Sequence, residues 1–334
     1  MRHEDGFELP VLPRRLQRLA DELDDEGLPI LDGAPDRLAA LVELAYALRP
    51  PQHEGRVPTY GAILPTNSML DSGDHTSAWG TSVNLIPVRE LDVQFARRFA
   101  DGITSFAVRS TSSIDHLASF GRNIADEHDL VGLQATTGGI IVQRHPTGQV
   151  RVFAPGGVVR WDGTTWHHDE PVDAWIARLS SIATDLPVEG LRPLLRFAIH
   201  ELGGRRIGAI LIWRPVDEAV PTGRFEALVH NAPTLQLDRV GEESALASAL
   251  AQTDGAAVFD RAMRLTSLGI RLAPSIAAER HIGTMQGTRH TSALRYSYDD
   301  PQSIVIVVSD AGPVTLMHHG HAVTSVDPAS ERIG

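Results

Sequence analysis

Residues 207–213 read IGAILIW, 243–251 read ESALASALA and 254–259 read DGAAVF. The first run is apolar at nearly every position and shorter than an average helix. Such a run reads as a strand buried on both faces. The second has helical spacing, and the third is another short apolar run opened by a turn dipeptide. Strand, helix and strand therefore follow one another. Working outward, Leu191, Leu194, Leu195, Ala198, Ile199 and Leu202 recur at helical spacing ahead of this unit and stop at Gly203-Gly204. Behind it, a helix is expected from about Thr288, then strands at Ile304–Val308 and Val314–Met317. Alternation of this kind specifies an α/β layer structure with a mixed sheet flanked by helices.

The preceding half reads differently. Leu38, Leu41, Val42, Ala45 and Leu48 lie on one helical face after Pro35, and Arg49-Pro50-Pro51 ends that helix. Ile140–Gln143, Val150–Phe153 and Val158–Trp161 are short runs parted by Pro146-Thr147-Gly148 and Pro155-Gly156-Gly157, with Asp162-Gly163 closing the series. That turn chemistry predicts an antiparallel meander. A helix carrying Val172, Trp175, Ile176 and Leu179 follows. The expected organisation is a separate α+β domain over 1–185, an α/β domain over 186–325 and a tail over 326–334, joined at Thr184–Gly190 (TDLPVEG).

At 334 residues the chain suits two domains, and 42% hydrophobic residues suffice for a sizeable core. It has no cysteine, which excludes disulfides, thiolate nucleophiles and Cys-based zinc sites. All 30 Lys+Arg residues are arginine, which excludes Schiff-base chemistry and a lysine-ended phosphate loop. A net charge of -12 opposes sequence-independent nucleic-acid binding. No apolar run approaches the ~20 residues of a membrane span, and MRHEDGFELP has no signal-peptide core. A soluble, cytoplasmic protein without nucleic-acid or membrane partners is expected.

Chemistry concentrates in Asp254-Gly255-Ala256, at the start of a strand, and in Gly287-Thr288-Arg289-His290, at the start of a helix. With Thr288 as the expected N-cap, the free N–H groups and positive helix end, joined by Arg289 and His290, make a seat for phosphate oxygens. A carboxylate on a neighbouring strand end can hold a Mg2+ or Mn2+ that bridges those oxygens. Asp-Gly is also an ordinary turn, and each piece alone is weak.

Taken in order, GAILIW, DGAAVF, LGIRLAPS (268–275), GTRH and SIVIVVSDAGPVTL (303–316) resemble the diadenylate cyclase (DAC) domain family over about residues 191–323. The family condenses two ATP molecules into cyclic di-AMP and two pyrophosphates. The resemblance implies that Asp254 binds the metal, Mg2+ or Mn2+, close to the attacking 3′-hydroxyl. It further implies that Gly255 and Ala256 lie against the nucleoside, that Leu272 frames the adenine, and that Thr288, Arg289, His290 and Ser309 hold the triphosphate. Two domains meet face to face in this family, so a homodimer, at least transient, is expected. DAC domains are commonly joined to variable modules. Residues 1–185 would then be a regulatory domain sensing a small ligand, in a polar pocket formed from 64–85 and 104–116, or a spacer that sets the register of two cyclase domains.

Two departures stand out. The family's second arginine after GTRH is Thr291, with Arg295 and Arg280 as candidate substitutes, and its Ser-Glu-Glu ending is Ser309-Asp310-Ala311. They leave open a DAC-fold sensor that binds nucleotide without cyclising it. Elsewhere, His318-His319-Gly320-His321 is expected to be an exposed turn and Trp166-His167-His168-Asp169-Glu170 a solvated helix start, neither with a complete metal-ligand set. Thr137-Gly138-Gly139 and Pro155-Gly156-Gly157 are expected as hairpin turns, and Asp71-Ser72-Gly73-Asp74-His75 carries no triad by adjacency alone.

Overall fold

The computed structural model describes residues 13–28, 30–31, 34, 36–50, 54, 57–66, 82–88, 93–109, 114–216, 225–227, 233–237, 239, 241–285, 287–310 and 313–325. The Asp71–His75 cluster, residues 67–81 and 110–113 of the expected pocket, and the tail lie outside them. The chain divides into two compact units, Met1–Glu170 and Pro171–Gly334. The division precedes the expected joint because the helix Val172–Ile182 buries Val172, Trp175, Ile176 and Leu179 in the apolar cluster of the second unit. Within TDLPVEG, residues 184–187 form a turn and residues 188–190 begin the 3-10 helix Val188–Leu191 of that unit.

In the first unit, eight strands form one mixed sheet: β1 (Tyr60–Leu64), β2 (Val83–Pro87), β3 (Ser105–Arg109), β4 (Ile114–Phe120), β5 (Ile140–Arg144), β6 (Val150–Ala154), β7 (Gly157–Trp161) and β8 (Trp166–Asp169). Their order is β2-β4-β3-β1-β5-β6-β7-β8. Helices α1 (Arg14–Asp25) and α2 (Arg37–Leu48) pack with one face of the sheet, and α4 (Glu127–Thr137) packs with the other. The short helix α3 (Val93–Ala96) precedes β3. The Asp36 carboxylate caps α2 by accepting from the Ala39 N–H at 3.0 Å.

The expected meander is present, with a tight turn at Pro155-Gly156 between β6 and β7. Two expectations need correction. Trp166–Asp169 is the edge strand β8, where pairing with β7, Trp166 opposite Trp161, outweighs helix-start chemistry. Gly138, at φ 69°, ends α4 in the left-handed conformation and is no hairpin turn. Glu43 of α2 is fully buried and accepts from the Tyr60 hydroxyl, Arg97 and Arg109.

The second unit carries a seven-stranded sheet: β9 (Ala209–Trp213), β10 (Phe225–Ala227), β11 (Ala256–Phe259), β12 (Leu265–Leu272), β13 (Ile304–Val308), β14 (Val314–His318) and β15 (His321–Ser325). The order is β10-β12-β11-β9-β13-β14-β15, with β9 and β11 parallel and the other pairs antiparallel. One face is covered by α5 (Val172–Ile182), α6 (Arg192–Arg196) with the π-helical segment Phe197–Gly203, and α7 (Glu242–Leu250). The other face carries α9 (Thr288–Asp299), against which α8 (Ile276–His281) packs through Ser275 and Asp299. Strands β9 and β13 are apolar throughout because helices cover both faces. At the β14–β15 hairpin, His319 (φ 50°) and Gly320 (φ 77°) form the turn. His318 is buried and its Nδ1 meets the Ser303 carbonyl oxygen at 3.1 Å, so of the three histidines only His319, in the turn, and His321, at the start of β15, are exposed.

Candidate nucleotide site

The sheet register gathers the candidate residues at one end. Ala256 is level with Ile210 on one side and Ile270 on the other, and Ala209 is level with Val308, which pairs with Val314. Gly208, Asp254-Gly255, Leu272, Ser309-Asp310 and Thr315 therefore all lie at the edge where parallel β9 and β11 begin and antiparallel β12 and β13 end. The start of α9 closes onto this edge through two contacts. Arg289 Nη1 donates to Asp310 Oδ1 at 2.8 Å, and His290 Nε2 lies 3.3 Å from Thr315 Oγ1.

Gly255 has a steric explanation of its own. Its φ is 98°, and a Cβ there would lie 2.8 Å from the Gly269 carbonyl carbon and 2.8 Å from the Ile270 oxygen. The close neighbour is thus the backbone of β12. Ala256 is fully buried in the apolar layer beneath α9, and Leu272 packs at its margin. Asp254 is exposed, and its Oδ1 accepts from the Gly255 N–H at 2.9 Å.

At α9 the N-cap is Gly287, φ 96°, where Thr288 was expected. Thr288 is the first helical residue because Gly287 takes a positive φ with an extended ψ of 144°, a conformation open to glycine, as the chain enters the helix. The first helical bond runs from the Thr291 N–H to the Gly287 carbonyl at 3.2 Å. The N–H groups of Thr288, Arg289 and His290 precede that bond and face the helix start. Thr291, in place of an arginine, stitches the turn: its Oγ1 accepts from the Met285 N–H at 3.0 Å and lies 3.1 Å from both the Met285 and Gly287 carbonyl oxygens. Burial, then the neighbouring Arg289 charge, lowers the His290 pKa below its ordinary value, which favours the neutral imidazole. Ser309 is half-buried, its N–H bonded to the Pro313 carbonyl.

The candidate substitutes for the missing arginine lie elsewhere. Arg295 is six residues beyond Arg289, about 9 Å along the helix, and its Nε is buried. Arg280 is exposed on α8. Sequence reasoning missed three contributors: Gly208, Thr315 and the Arg289–Asp310 pair. The glycine second in IGAILIW was the available signal for the first, and nothing in the sequence marked the other two.

The second unit is thus an α/β domain whose sheet edge presents an exposed carboxylate beside the basic start of α9. Residues 196–322, within this unit, match the family model described as "DisA bacterial checkpoint controller nucleotide-binding" (DAC). Residues 17–169 match the model described as "Probable sensor domain DACNK". The matched order is therefore the DACNK model followed by the DAC model. No curated protein sequence matches the chain. Similar solved structures include a hypothetical membrane spanning protein from Bacillus cereus, 16% identical, over 46% of this chain and 79% of that chain, with a TM-score of 0.29. Another is a double mutant of DacA from Staphylococcus aureus, 16% identical, over 41% of this chain and 87% of that chain, with a TM-score of 0.28. Among the described residues no helix is long and apolar enough to cross a membrane.

Proposed function

We propose that the DAC domain is a diadenylate cyclase that condenses two ATP molecules into cyclic di-AMP and two pyrophosphates across a face-to-face homodimer. The observation that carries this reading is the convergence of Asp254, Gly255, Arg289, His290 and Ser309 on one sheet edge. The N–H groups at the start of α9 and the Arg289 guanidinium would receive the triphosphate oxygens, where fixed donors lower the barrier to phosphoryl transfer by charge stabilisation. His290, neutral and steadied by Thr315, would add one hydrogen-bond donor or acceptor beside them. Ser309 would contribute a hydroxyl.

Among the described residues no three His, Asp or Glu side chains converge on a metal position. A single exposed carboxylate at Asp254 nevertheless suits Mg2+ or Mn2+, which take one or two protein carboxylates and complete their shell with phosphate oxygens and water. The ion would supply charge neutralisation at the transferring phosphate. Two ATP-bearing domains are needed because each 3′-hydroxyl attacks the α-phosphate held by the other copy. The sensor domain would control that meeting, and the protein would work in the cytoplasm.

The test is incubation of the full chain with ATP and Mn2+ or Mg2+, with products read by mass spectrometry. Cyclic di-AMP from the natural protein and none from a folded Asp254→Asn variant is expected; undiminished product from that variant would refute the assignment. One observation favours a second reading, a nucleotide-binding sensor that does not cyclise: Thr291 is committed to bonds within the turn, and the remaining arginine is paired with Asp310. ATP binding by calorimetry, with no pyrophosphate released under either metal, would select it.

A further inference from the structure

Arg289 is the guanidinium left at the helix start, and the same chain already engages it. Its Nη1 donates to Asp310 Oδ1 at 2.8 Å, and the two side chains remain 42% and 72% exposed. A pair so open to water is screened and weak, so an incoming anion can displace it. The pair also lies where a side chain of Gly208 would project. A Cβ there would overlap Asp310 Oδ1 and lie 2.5 Å from Arg289 Nη1. Glycine at the start of the central strand β9 therefore leaves the space in which carboxylate and guanidinium meet.

We propose that Asp310 is a positioning residue that occupies Arg289 in the empty site and competes with nucleotide phosphate for it, so that phosphate binding at this edge is held below what the guanidinium alone would give. The proposal rests on the reading of this edge as a nucleotide site. Binding requires Arg289 to exchange the Asp310 carboxylate for a phosphate oxygen, a swap between charge-assisted bonds of similar geometry. Every anion that uses the guanidinium meets the same competition, and a triphosphate adds further contacts along the start of α9.

The experiment titrates the full chain with inorganic tripolyphosphate and with ATP, by calorimetry at fixed salt, in a double-mutant cycle of Asp310→Asn and Arg289→Gln. Asp310→Asn should tighten tripolyphosphate binding about 2- to 5-fold, the range set by an exposed ion pair. In the Arg289→Gln background the gain should vanish, because the carboxylate then has nothing to compete for. Asp310→Ala should repeat the gain, which guards against an effect peculiar to the amide. Weaker or unchanged binding in Asp310→Asn would overturn the proposal, as would an equal gain in both backgrounds, which is simple charge removal. Failure of all four proteins to bind tripolyphosphate would overturn it as well. Cyclic di-AMP yield from the natural protein, measured in parallel, decides the cyclase reading separately: tightening without product leaves the competition standing and removes the cyclase.

Discussion

Gly255→Ala tests how the sheet shapes the candidate site. The residue sits at φ 98°, and a Cβ would lie 2.8 Å from the Gly269 carbonyl carbon, 2.8 Å from the Ile270 oxygen and 3.0 Å from the Ile270 nitrogen. The left-handed backbone alone costs an L-residue about 1–2 kcal/mol. The clash is with the backbone of a paired strand that cannot rotate away, so it adds about 1–3 kcal/mol of overpacking. Gly241, at φ 88° with nothing within 4 Å of a built Cβ, pays only the first cost and lies in the same unit. At roughly 2–4 °C per kcal/mol for a domain of this size, Gly255→Ala should lower thermal unfolding by about 10 °C and Gly241→Ala by about 4 °C. Thermal melts of the full chain, with peptide-resolved hydrogen exchange to read β11 and β12 directly, make the comparison. Equal losses in the two variants would show that β12 yields freely and would refute the steric account. Because Asp254 precedes the altered residue, ATP binding should fall in Gly255→Ala and hold in Gly241→Ala.

Three further outcomes follow from the structure. Thr291→Val removes the acceptor of the Met285 N–H, so about 1 kcal/mol of stability should be lost and exchange at 285–290 should quicken; unchanged exchange would show that the turn does not depend on this hydroxyl. Glu43→Gln removes the buried carboxylate that Arg97 and Arg109 share, at a cost of about 3–5 kcal/mol, measured as loss of the first unit's cooperative unfolding in urea. Burial, reinforced by the Arg151 charge and partly offset by Asp126, lowers His145 from 6.5 to about 4. Below pH 6.5 the unfolded chain therefore takes up a proton that the folded chain refuses. Stability should decline from pH 6.5 towards 4, with a shallower slope in His145→Asn. Identical slopes would remove His145 from that account.

The α/β order of the second unit was legible in the chain because its central strands are buried on both faces. IGAILIW, DGAAVF and SIVIVV carry their structure as uninterrupted apolar runs bounded by turn residues. DGA and GTRH were legible as chemistry for the same reason: a carboxylate before a strand and an arginine opening a helix are local patterns. The N-cap at Gly287 was not, since Thr288 has the better capping side chain and only the path of the chain makes glycine necessary. Nor was β8, whose WHHD composition resembles a helix start until β7 lies alongside it.

What the sequence by itself determined is therefore what neighbouring residues decide among themselves: element type, the two-unit composition and the short motifs. Tertiary structure alone decided which of those motifs meet. Sheet order sets β9 between β11 and β13, and so brings Gly208, Asp254 and Asp310, far apart in the chain, to one edge. It also places Gly255 against the backbone of β12 and pairs Arg289 with Asp310, twenty-one residues away. The physical reason is that strand pairing and helix packing are long-range contacts whose partners are chosen by burial of whole faces, and no local pattern encodes that choice.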